Sequence, residues 1–423
     1  MAFMVPSRCF FMLHTMTKNT KRSERWIRRR LVAILVAAVS FAACQSPQGA
    51  LPPTAQPVAV QPRPVVSYAS GPLTESVIVV AIDGVRWQEV FEGVERSMAE
   101  AEAIPEAFIL PPHRLLPNLH GRVFARGVVL GAPGKGPEMR ASGPNHVSLP
   151  GYMEILGGAA SSDCSSNECP ATRRKTVVDA FRDAYAPEGG SVGVISSWEK
   201  IERAAMADPT GVALSTGRTG GVTRESLRSD PVLSELLDVA ADVGPHPGHG
   251  DYRPDYYTAA VALRYLWARR PRFLFVGLGD TDEWAHTDNY EAYLQSLRFA
   301  DTFVGSVLDT LEMMGSYGAR TTLIVTTDHG RSRDFVGHGK SVESGRVWMA
   351  AVGGRVPALG AVGSAGDRRL ADIAPTVLTL VGLPPTVGSG AVLAEVIHPA
   401  EKQPATALAG GPGAGRALLA SPQ

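Results

Sequence analysis

The sequence predicts an α/β fold of three layers, in which helices cover both faces of a mostly parallel central sheet. Short, continuous apolar runs suit strands that are buried on both faces of such a sheet. Helical stretches separate several of these runs, and an alternation of strands with helices favours parallel strand pairing. The predicted strands are Val77–Ile82, Ser191–Ile195, Phe273–Val276, Thr322–Thr326 and Val347–Val352.

Three amphipathic stretches predict the main helices. They are Asp255–Trp267, Asn289–Met314 and Ala371–Leu380. The second has apolar residues at helical spacing on one face, and Asp288 just before it predicts an N-cap. That apolar face consists of Leu294, Leu297, Val304, Leu308 and Leu311.

The first 44 residues predict an export signal. A basic stretch precedes the apolar run Leu31–Val39, which is short for a membrane span, and the run leads to Ala43-Cys44. Small residues before a cysteine at this place resemble a bacterial lipobox, which implies cleavage before Cys44 and lipid on its thiol. An ordinary secretory signal with an incidental cysteine is the alternative. Because Gln45 and not an aspartate follows Cys44, we expect an anchored envelope protein, at the outer membrane and facing the periplasm or the surface.

The remaining chain predicts a tether, one catalytic domain and a tail. Residues 45–72 are rich in proline and alanine, residues 73–398 form the domain, and residues 399–423 predict a disordered end. Within the domain, Cys164 and Cys169 predict a disulfide in an oxidising compartment, since no second cysteine pair completes a zinc knuckle. Of the 423 residues, 41 are Lys or Arg and 41 are Asp or Glu, so no nucleic-acid partner is expected. The sequence does not indicate an oligomeric state.

Acidic and histidine side chains follow three of the predicted strands. The carboxyl ends of parallel strands meet at one edge of a sheet, so these groups are expected to converge. Oxygen and imidazole ligands without thiolate suit zinc, manganese or iron, and six ligands divide into two sites of three. Each short motif alone is weak evidence for a metal site, but the order and placement of the motifs together are more specific. The candidate ligands are Asp83, Asp282, His286, Asp328, His329 and His338.

This order of motifs resembles the alkaline phosphatase superfamily, in particular its branch of type I phosphodiesterases and nucleotide pyrophosphatases. Asp83-Gly-Val-Arg86 resembles that branch's opening motif, and Asp282-Glu-Trp-Ala-His286 matches its Asp-x-x-Gly-His with alanine for glycine. Asp328-His329-Gly330 matches its Asp-His-Gly motif. The resemblance spans about Val77 to Leu383 and implies a metal-dependent phosphoric ester hydrolase with an alkaline-phosphatase-like fold. It implies two divalent ions, zinc or manganese.

The resemblance also implies a hydroxyl nucleophile at the start of a helix, for which Ser142 and Ser148 compete. Ser142-Gly-Pro-Asn-His146 copies the letters of the family motif, whereas Ser148-Leu-Pro150 and the residues after it copy its spacing. We choose Ser148, because an apolar helix follows it and free backbone N–H groups at a helix start favour phosphate. By resemblance, Asp83, Asp328 and His329 hold one metal beside Ser148. Asp282, His286 and His338 hold the other.

The sequence departs from the family at one position beside the nucleophile. The phosphodiesterase branch has an asparagine three residues after the nucleophile, where this chain has Gly151, and Lys340, Asn145 or Arg140 are the candidate substitutes. Monoesters and diesters are therefore both open as substrates of a phosphoserine mechanism. A sulfuric-ester or phosphonate hydrolase of the same superfamily and a non-catalytic surface lipoprotein are the alternatives. Substrate specificity is expected in the inserted loops Glu92–Gly136 and Gly211–Asp251.

Overall fold

The computed structural model describes residues 74–185, 191–221, 227–363 and 366–397. The predicted signal, Cys44, the tether and the tail lie outside these ranges, so the structure does not test them. None of the helices within these ranges combines the length and the apolar composition that crossing a bilayer requires.

The strands of the described residues form two sheets. They are β1 Ser76–Ile82, β2 Val128–Leu130, β3 Met139–Arg140, β4 Val192–Ser196, β5 Ala213–Thr216, β6 Phe273–Leu278, β7 Thr321–Thr326, β8 Arg346–Val347, β9 Met349–Gly353, β10 Gly360–Ala361 and β11 Arg368–Arg369. Eight of them form the central sheet, in the order β10-β2-β9-β7-β1-β6-β4-β5. The strands β7, β1, β6, β4 and β5 run parallel to one another, and β2 and β10 form a further parallel pair. A small second sheet has the order β11-β3-β8.

Twelve α-helices surround these strands in the described residues. Apolar residues fill the space on both faces of the central sheet, in two separate clusters, which confirms the predicted three-layer α/β class. The helices are α1 Trp87–Phe91, α2 Arg96–Ala101, α3 Pro112–Leu115, α4 Ser148–Gly157, α5 Val177–Tyr185, α6 Ile201–Ala205, α7 Pro231–Asp242, α8 Asp255–Arg269, α9 Asp280–His286, α10 Tyr290–Met313, α11 Ser316–Ala319 and α12 Ile373–Leu380.

The predicted strand Val347–Val352 is not one continuous strand in the structure. Its residues divide between β8 in the small sheet and β9 in the central sheet, with the buried Trp348 between them. In addition, β9 runs antiparallel to β7 and β2. The segment between β7 and β9 contains a loop, a short 3₁₀ turn at Glu343–Gly345 and β8, but no crossover helix. A chain that returns without a crossover pairs antiparallel.

The N-cap prediction for α10 is also wrong, by one residue. Asn289 caps the helix, because its side-chain oxygen accepts a hydrogen bond from the Ala292 N–H. Asp288 lies in the left-handed region, with φ of 56°. A residue at the N-cap normally has extended backbone angles, so Asp288 belongs to the preceding turn.

Candidate metal centre

Three adjacent strands bring the predicted ligands to one edge of the sheet. Asp83 directly follows β1, Asp282 lies in the first turn of α9 after β6, and Asp328 follows β7. Because β6 and β7 flank β1 in parallel register, the three strand ends point the same way. The three carboxylates are all buried there.

The first group of side chains surrounds His329. Its Nε2 atom lies 3.4 Å from Asp83 Oδ1 and 3.4 Å from Asp328 Oδ2. The Ser148 Oγ atom completes the group, at 3.3 Å from His329 Nε2 and 3.4 Å from Asp83 Oδ1. The three ligands that the resemblance assigns to one cation therefore lie together, beside the serine assigned to them.

The second group lies beside the first and consists of Asp282, His286 and His338. The His286 Nε2 atom lies 3.1 Å from Asp282 Oδ2 and 3.1 Å from His338 Nε2. Asp282 is also close enough to Asp83 and His329 to form a second ligand triple with them. Asp282 therefore stands between the two groups, a position that the assignment by resemblance did not foresee.

Two of the histidines direct an unprotonated ring nitrogen towards the site. The Nδ1 atoms of His329 and His338 each lie 2.8 Å from a backbone carbonyl, of Gly330 and His146 respectively. A carbonyl only accepts, so Nδ1 carries the proton and Nε2 keeps its lone pair. Burial, together with the nearby charge of His338, also holds the pKa of His329 well below its ordinary value.

The carboxylates of the site repel one another. Burial raises the pKa of Asp83 well above its ordinary value, and the charges of Asp328 and Asp282 add to the rise. Burial and the charge of Asp282 do the same to the pKa of Asp328. Moreover, Asp328 Oδ2 is buried without a hydrogen-bond partner among the described residues. Buried oxygens of this kind beside neutral imidazoles fit divalent cations, which would offset the clustered charge.

Two buried residues of the centre escaped the sequence analysis. The Arg331 guanidinium, which is 1% exposed, pairs with Asp282 Oδ1. Burial alone would raise the pKa of Asp282, but the charge of Arg331 and the hydrogen bond from His286 lower it well below its ordinary value. Tyr152 donates from its hydroxyl to Asp83 Oδ2 at 2.9 Å. The position of Arg331 directly after Asp328-His329-Gly330 was the available signal, whereas Tyr152 had none beyond its place in α4.

The structure separates the two candidate serines. Ser142 donates to Glu154 Oε1 at 2.6 Å and its N–H donates to the other oxygen, so Glu154 binds its hydroxyl. Ser148 is the first residue of α4, is 4% exposed and lines the cavity over the metal ligands. Its position fits the proposed role.

The expectation of several free N–H groups at the start of α4 is wrong. The Leu149 N–H donates to Asn167 Oδ1 at 2.9 Å, and the Gly151 N–H donates to the Val147 carbonyl. Pro150 has no N–H. The helix start therefore offers at most the N–H of Ser148 itself.

A cavity of about 340 Å³ opens above Ser148 and the metal ligands. Trp198, Glu199 and Lys200, which follow β4, form one wall. The expected specificity loop Gly211–Asp251 contributes His249 and Gly250, whereas the loop Glu92–Gly136 contributes none of the described lining residues. Asn167, from the loop closed by the Cys164–Cys169 disulfide, reaches the cavity as well.

The three candidate substitutes for the family's asparagine do not line this cavity. Arg140 contacts Glu138 and the Val342 carbonyl, Asn145 donates to the Ser165 carbonyl, and Lys340 is exposed. Nor could a side chain replace Gly151 without movement, because a Cβ atom there would lie 2.6 Å from the Asp328 carbonyl oxygen.

Comparison with known proteins finds metalloenzymes. Residues 255–385 match the family model of the metalloenzyme superfamily. The 2,3-bisphosphoglycerate-independent phosphoglycerate mutase of Rippkaea orientalis is 33% identical over 142 residues, which are 30% of this chain and 25% of the mutase. The same enzyme of Thermomicrobium roseum is 26% identical over 146 residues, 32% of this chain and 26% of the mutase. The chain thus spans about a quarter of the length of these relatives.

Solved structures with similar backbones have low sequence identity. A protein in the alkaline phosphatase superfamily from Vibrio parahaemolyticus is 14% identical, with a TM-score of 0.49 over 76% of this chain and 70% of that one. The phosphonate monoester hydrolase of Agrobacterium radiobacter is 14% identical, with a TM-score of 0.48 over 78% of each chain.

The matched segment contains five of the six predicted ligands, all except Asp83. The type I phosphodiesterase branch stays a prediction, since the comparisons reach only the superfamily. At that level the prediction is confirmed: residues 255–385, which contain these five ligands, match the metalloenzyme superfamily.

Proposed function

We propose that the protein is an exported hydrolase of phosphate esters that uses two divalent cations and Ser148 as its nucleophile. One observation carries the proposal: Ser148 Oγ lies within 3.4 Å of both His329 Nε2 and Asp83 Oδ1, at the floor of an open cavity. A hydroxyl placed among metal ligands is one that a cation can activate.

The cations, zinc or manganese, would supply positive charge that activates the Ser148 hydroxyl and offsets charge on the non-bridging phosphate oxygens. Asp83, Asp328 and His329 would hold one of them, and Asp282, His286 and His338 would hold the other. Asp282 Oδ2 and the unprotonated Nε2 atom of His338 both lie close to His286 Nε2. This arrangement fits three side chains that bind the same cation.

The chain's own part begins at Ser148. Its oxygen forms a bond to phosphorus while the bond from phosphorus to the ester oxygen breaks, and the serine proton reaches the departing alcohol through solvent. Water then attacks the phosphorus of this intermediate, which restores the hydroxyl and releases inorganic phosphate when the substrate is a monoester, or a phosphate monoester when it is a diester. The sum is one ester and one water converted to one alcohol and one phosphate.

Export and anchoring through lipid on Cys44 belong to this proposal. The lipobox-like end of the signal supports them, and the Cys164–Cys169 disulfide fits an oxidising compartment outside the cytosol. A small phosphate ester is the proposed partner, with no nucleic acid, in keeping with the zero net charge.

Phosphoryl transfer to a second hydroxyl is the other candidate function. The partial sequence similarity of this chain to phosphoglycerate mutases favours this transfer function. In that case the phosphoserine would give its phosphoryl group to an alcohol and not to water. With a monoester substrate the products distinguish the two functions, because only hydrolysis releases inorganic phosphate in step with the alcohol.

The test uses the mature protein loaded with zinc or manganese. Aryl phosphate monoester, aryl phosphate diester and aryl sulfate are offered separately, and the released aryl alcohol and phosphate are both measured. Equal release of aryl alcohol and inorganic phosphate from the monoester supports hydrolysis, and so does equal release of aryl alcohol and a phosphate monoester from the diester. Metal-loaded protein that turns over none of them would sink the proposal in favour of the non-catalytic alternative.

A further inference from the structure

The geometry points to Asp255 as the residue that positions α9, and with it two of the six predicted metal ligands. This inference rests on the proposed function, because it concerns the affinity for the second of the two cations. Asp255 is the first residue of α8 and is completely buried. It belongs to neither ligand group and is not among the described residues that line the cavity. Its role is therefore one of positioning and not of catalysis.

The two carboxylate oxygens of Asp255 accept hydrogen bonds from the backbone at the start of α9. Oδ1 accepts the Gly279 N–H at 2.7 Å, and Oδ2 accepts the Asp280 N–H at 3.0 Å. The first N–H groups of a helix have no acceptor within it, and Gly279 at the N-cap has no side chain to supply one. The Ser197 hydroxyl donates to Asp255 Oδ1 at 2.6 Å and fixes the carboxylate. Asp255 thus caps α9 from another helix.

The contact is reciprocal, because Asp280 accepts from the start of α8. Asp280 Oδ1 accepts the Asp255 N–H at 3.2 Å, and Pro254, at the N-cap of α8, makes no side-chain cap bond. The same oxygen accepts the hydroxyl of Tyr252 at 2.7 Å, and Tyr252 lines the cavity. The starts of both helices and one wall of the cavity are therefore joined, and α9 cannot shift without breaking these bonds.

A shift of α9 would displace both of the ligands that it carries. Asp282 and His286 are four residues apart on this seven-residue helix, so they lie on the same face of it. Thr281 Oγ1 donates to the Asp83 carbonyl at 2.6 Å and holds the helix beside β1, whereas Asp255 holds its first residue. Loss of a residue that orients metal ligands typically weakens metal binding by about 10- to 100-fold.

Asp255→Asn separates this role from general stabilisation. An amide has one accepting oxygen and its NH₂ group only donates, so one of the two N–H groups at the start of α9 loses its acceptor. The matched control is Asp301→Asn. Asp301, on α10, is 1% exposed and accepts the N–H groups of Asn118 and Leu119 at 3.0 and 2.7 Å through different oxygens. It belongs to neither ligand group and is not among the described lining residues of the cavity.

The measurements are the two zinc dissociation constants of the mature protein, by competition with a chelator, and the Tm without metal. Both variants are expected to lose Tm by similar amounts. In Asp255→Asn alone, we expect one zinc site to weaken by about 10- to 100-fold. Anomalous peaks at limiting zinc identify it as the group that contains His286. Ser197→Ala, which removes only the hydroxyl that fixes Asp255, is expected to weaken the same site less, and it carries the test if Asp255→Asn does not fold.

Wild-type zinc affinity at both sites in Asp255→Asn, or in Ser197→Ala if only that variant folds, would overturn the inference. Zinc loss from the group around His329 alone would overturn it as well. So would an equal weakening in Asp301→Asn, since the loss would then follow from general destabilisation. These outcomes leave the proposed function intact. A wild type that binds two zinc ions but turns over no phosphate ester would refute the proposed function alone, because zinc affinity is measured without substrate. A wild type that binds no zinc would refute both.

Discussion

The Nε2 atoms of His286 and His338 lie 3.1 Å apart and face each other across the second ligand group. His338 donates from its other ring nitrogen to the His146 carbonyl, so its Nε2 atom carries no proton. The two imidazole nitrogens and the Asp282 carboxylate beside them form a group of ligands that a bound cation would stabilise. His338→Ala would remove one of these ligands.

Chelation is expected to lower both the activity and the Tm of the wild type. Cations bind the folded ligand groups, and at a hundredfold excess over Kd each site adds about 2.7 kcal/mol to the free energy of unfolding. His338→Ala should bind less metal and show a smaller Tm shift on chelation. Metal content by mass spectrometry and thermal unfolding check this. The exposed His113, changed to alanine, serves as the control, and equal metal loss in it would contradict the assignment.

Ser148→Ala is expected to abolish turnover while metal content stays near that of the wild type. The reason is that only the attacking oxygen is removed, and the six ligands stay in place. Ser142→Ala should keep most of its activity and lose about 1 kcal/mol of stability, because its hydrogen bond to Glu154 is structural. Kinetics and denaturant unfolding measure both. The reverse pattern, with Ser142 essential, would reassign the nucleophile.

Tyr152→Phe is expected to weaken metal binding by about 10- to 100-fold, as removal of a residue that orients a metal ligand typically does. The substitution removes only the hydroxyl that donates to Asp83 Oδ2 and leaves the ring packed edge-on against Phe275. A metal titration in a chelator buffer measures the affinity. A metal affinity equal to that of the wild type would show that the Tyr152 hydroxyl does not contribute to metal binding through Asp83.

Gly151→Ala is expected to destabilise the domain by about 1–3 kcal/mol and to reduce turnover. Its Cβ atom would lie 2.6 Å from the Asp328 carbonyl oxygen. The backbone of Asp328 and His329, two of the predicted metal ligands, would therefore have to shift. The matched control is Gly157→Ala, at the other end of α4, where a Cβ atom meets nothing within 4 Å. There, the higher helix propensity of alanine predicts neutral or increased stability, by up to about 1 kcal/mol. Equal effects at both positions in chemical denaturation would refute the packing argument.

The sequence predicted the elements whose local pattern is strong. The apolar runs located β1, β4, β6 and β7 to within one or two residues, because strands that are buried on both faces are mostly apolar along their length. The rule that parallel strands end at one edge also explains why Asp83, Asp282 and Asp328 were found together. The disulfide between Cys164 and Cys169 was predicted correctly from composition alone.

What escaped prediction depends on contacts between distant parts of the chain. The direction of β9 is set by the connection from β7, which an apolar run does not reveal. The Arg331–Asp282 pair, the Tyr152–Asp83 hydrogen bond and the approach of Asn167 to Leu149 each join residues that the fold alone brings together. The predicted free N–H group of Leu149 was wrong for the same reason, since Asn167 comes from a later loop. The lack of an N–H at Pro150, in contrast, is visible in the sequence.

Anomalous scattering from crystals of the mature protein grown with zinc tests most directly whether the two ligand groups bind metal. We expect two strong peaks, one among Asp282, His286 and His338 and one among Asp83, Asp328 and His329, the latter within reach of Ser148 Oγ. Crystals of folded protein in which neither group holds a zinc ion, at concentrations that saturate the protein in solution, would contradict it.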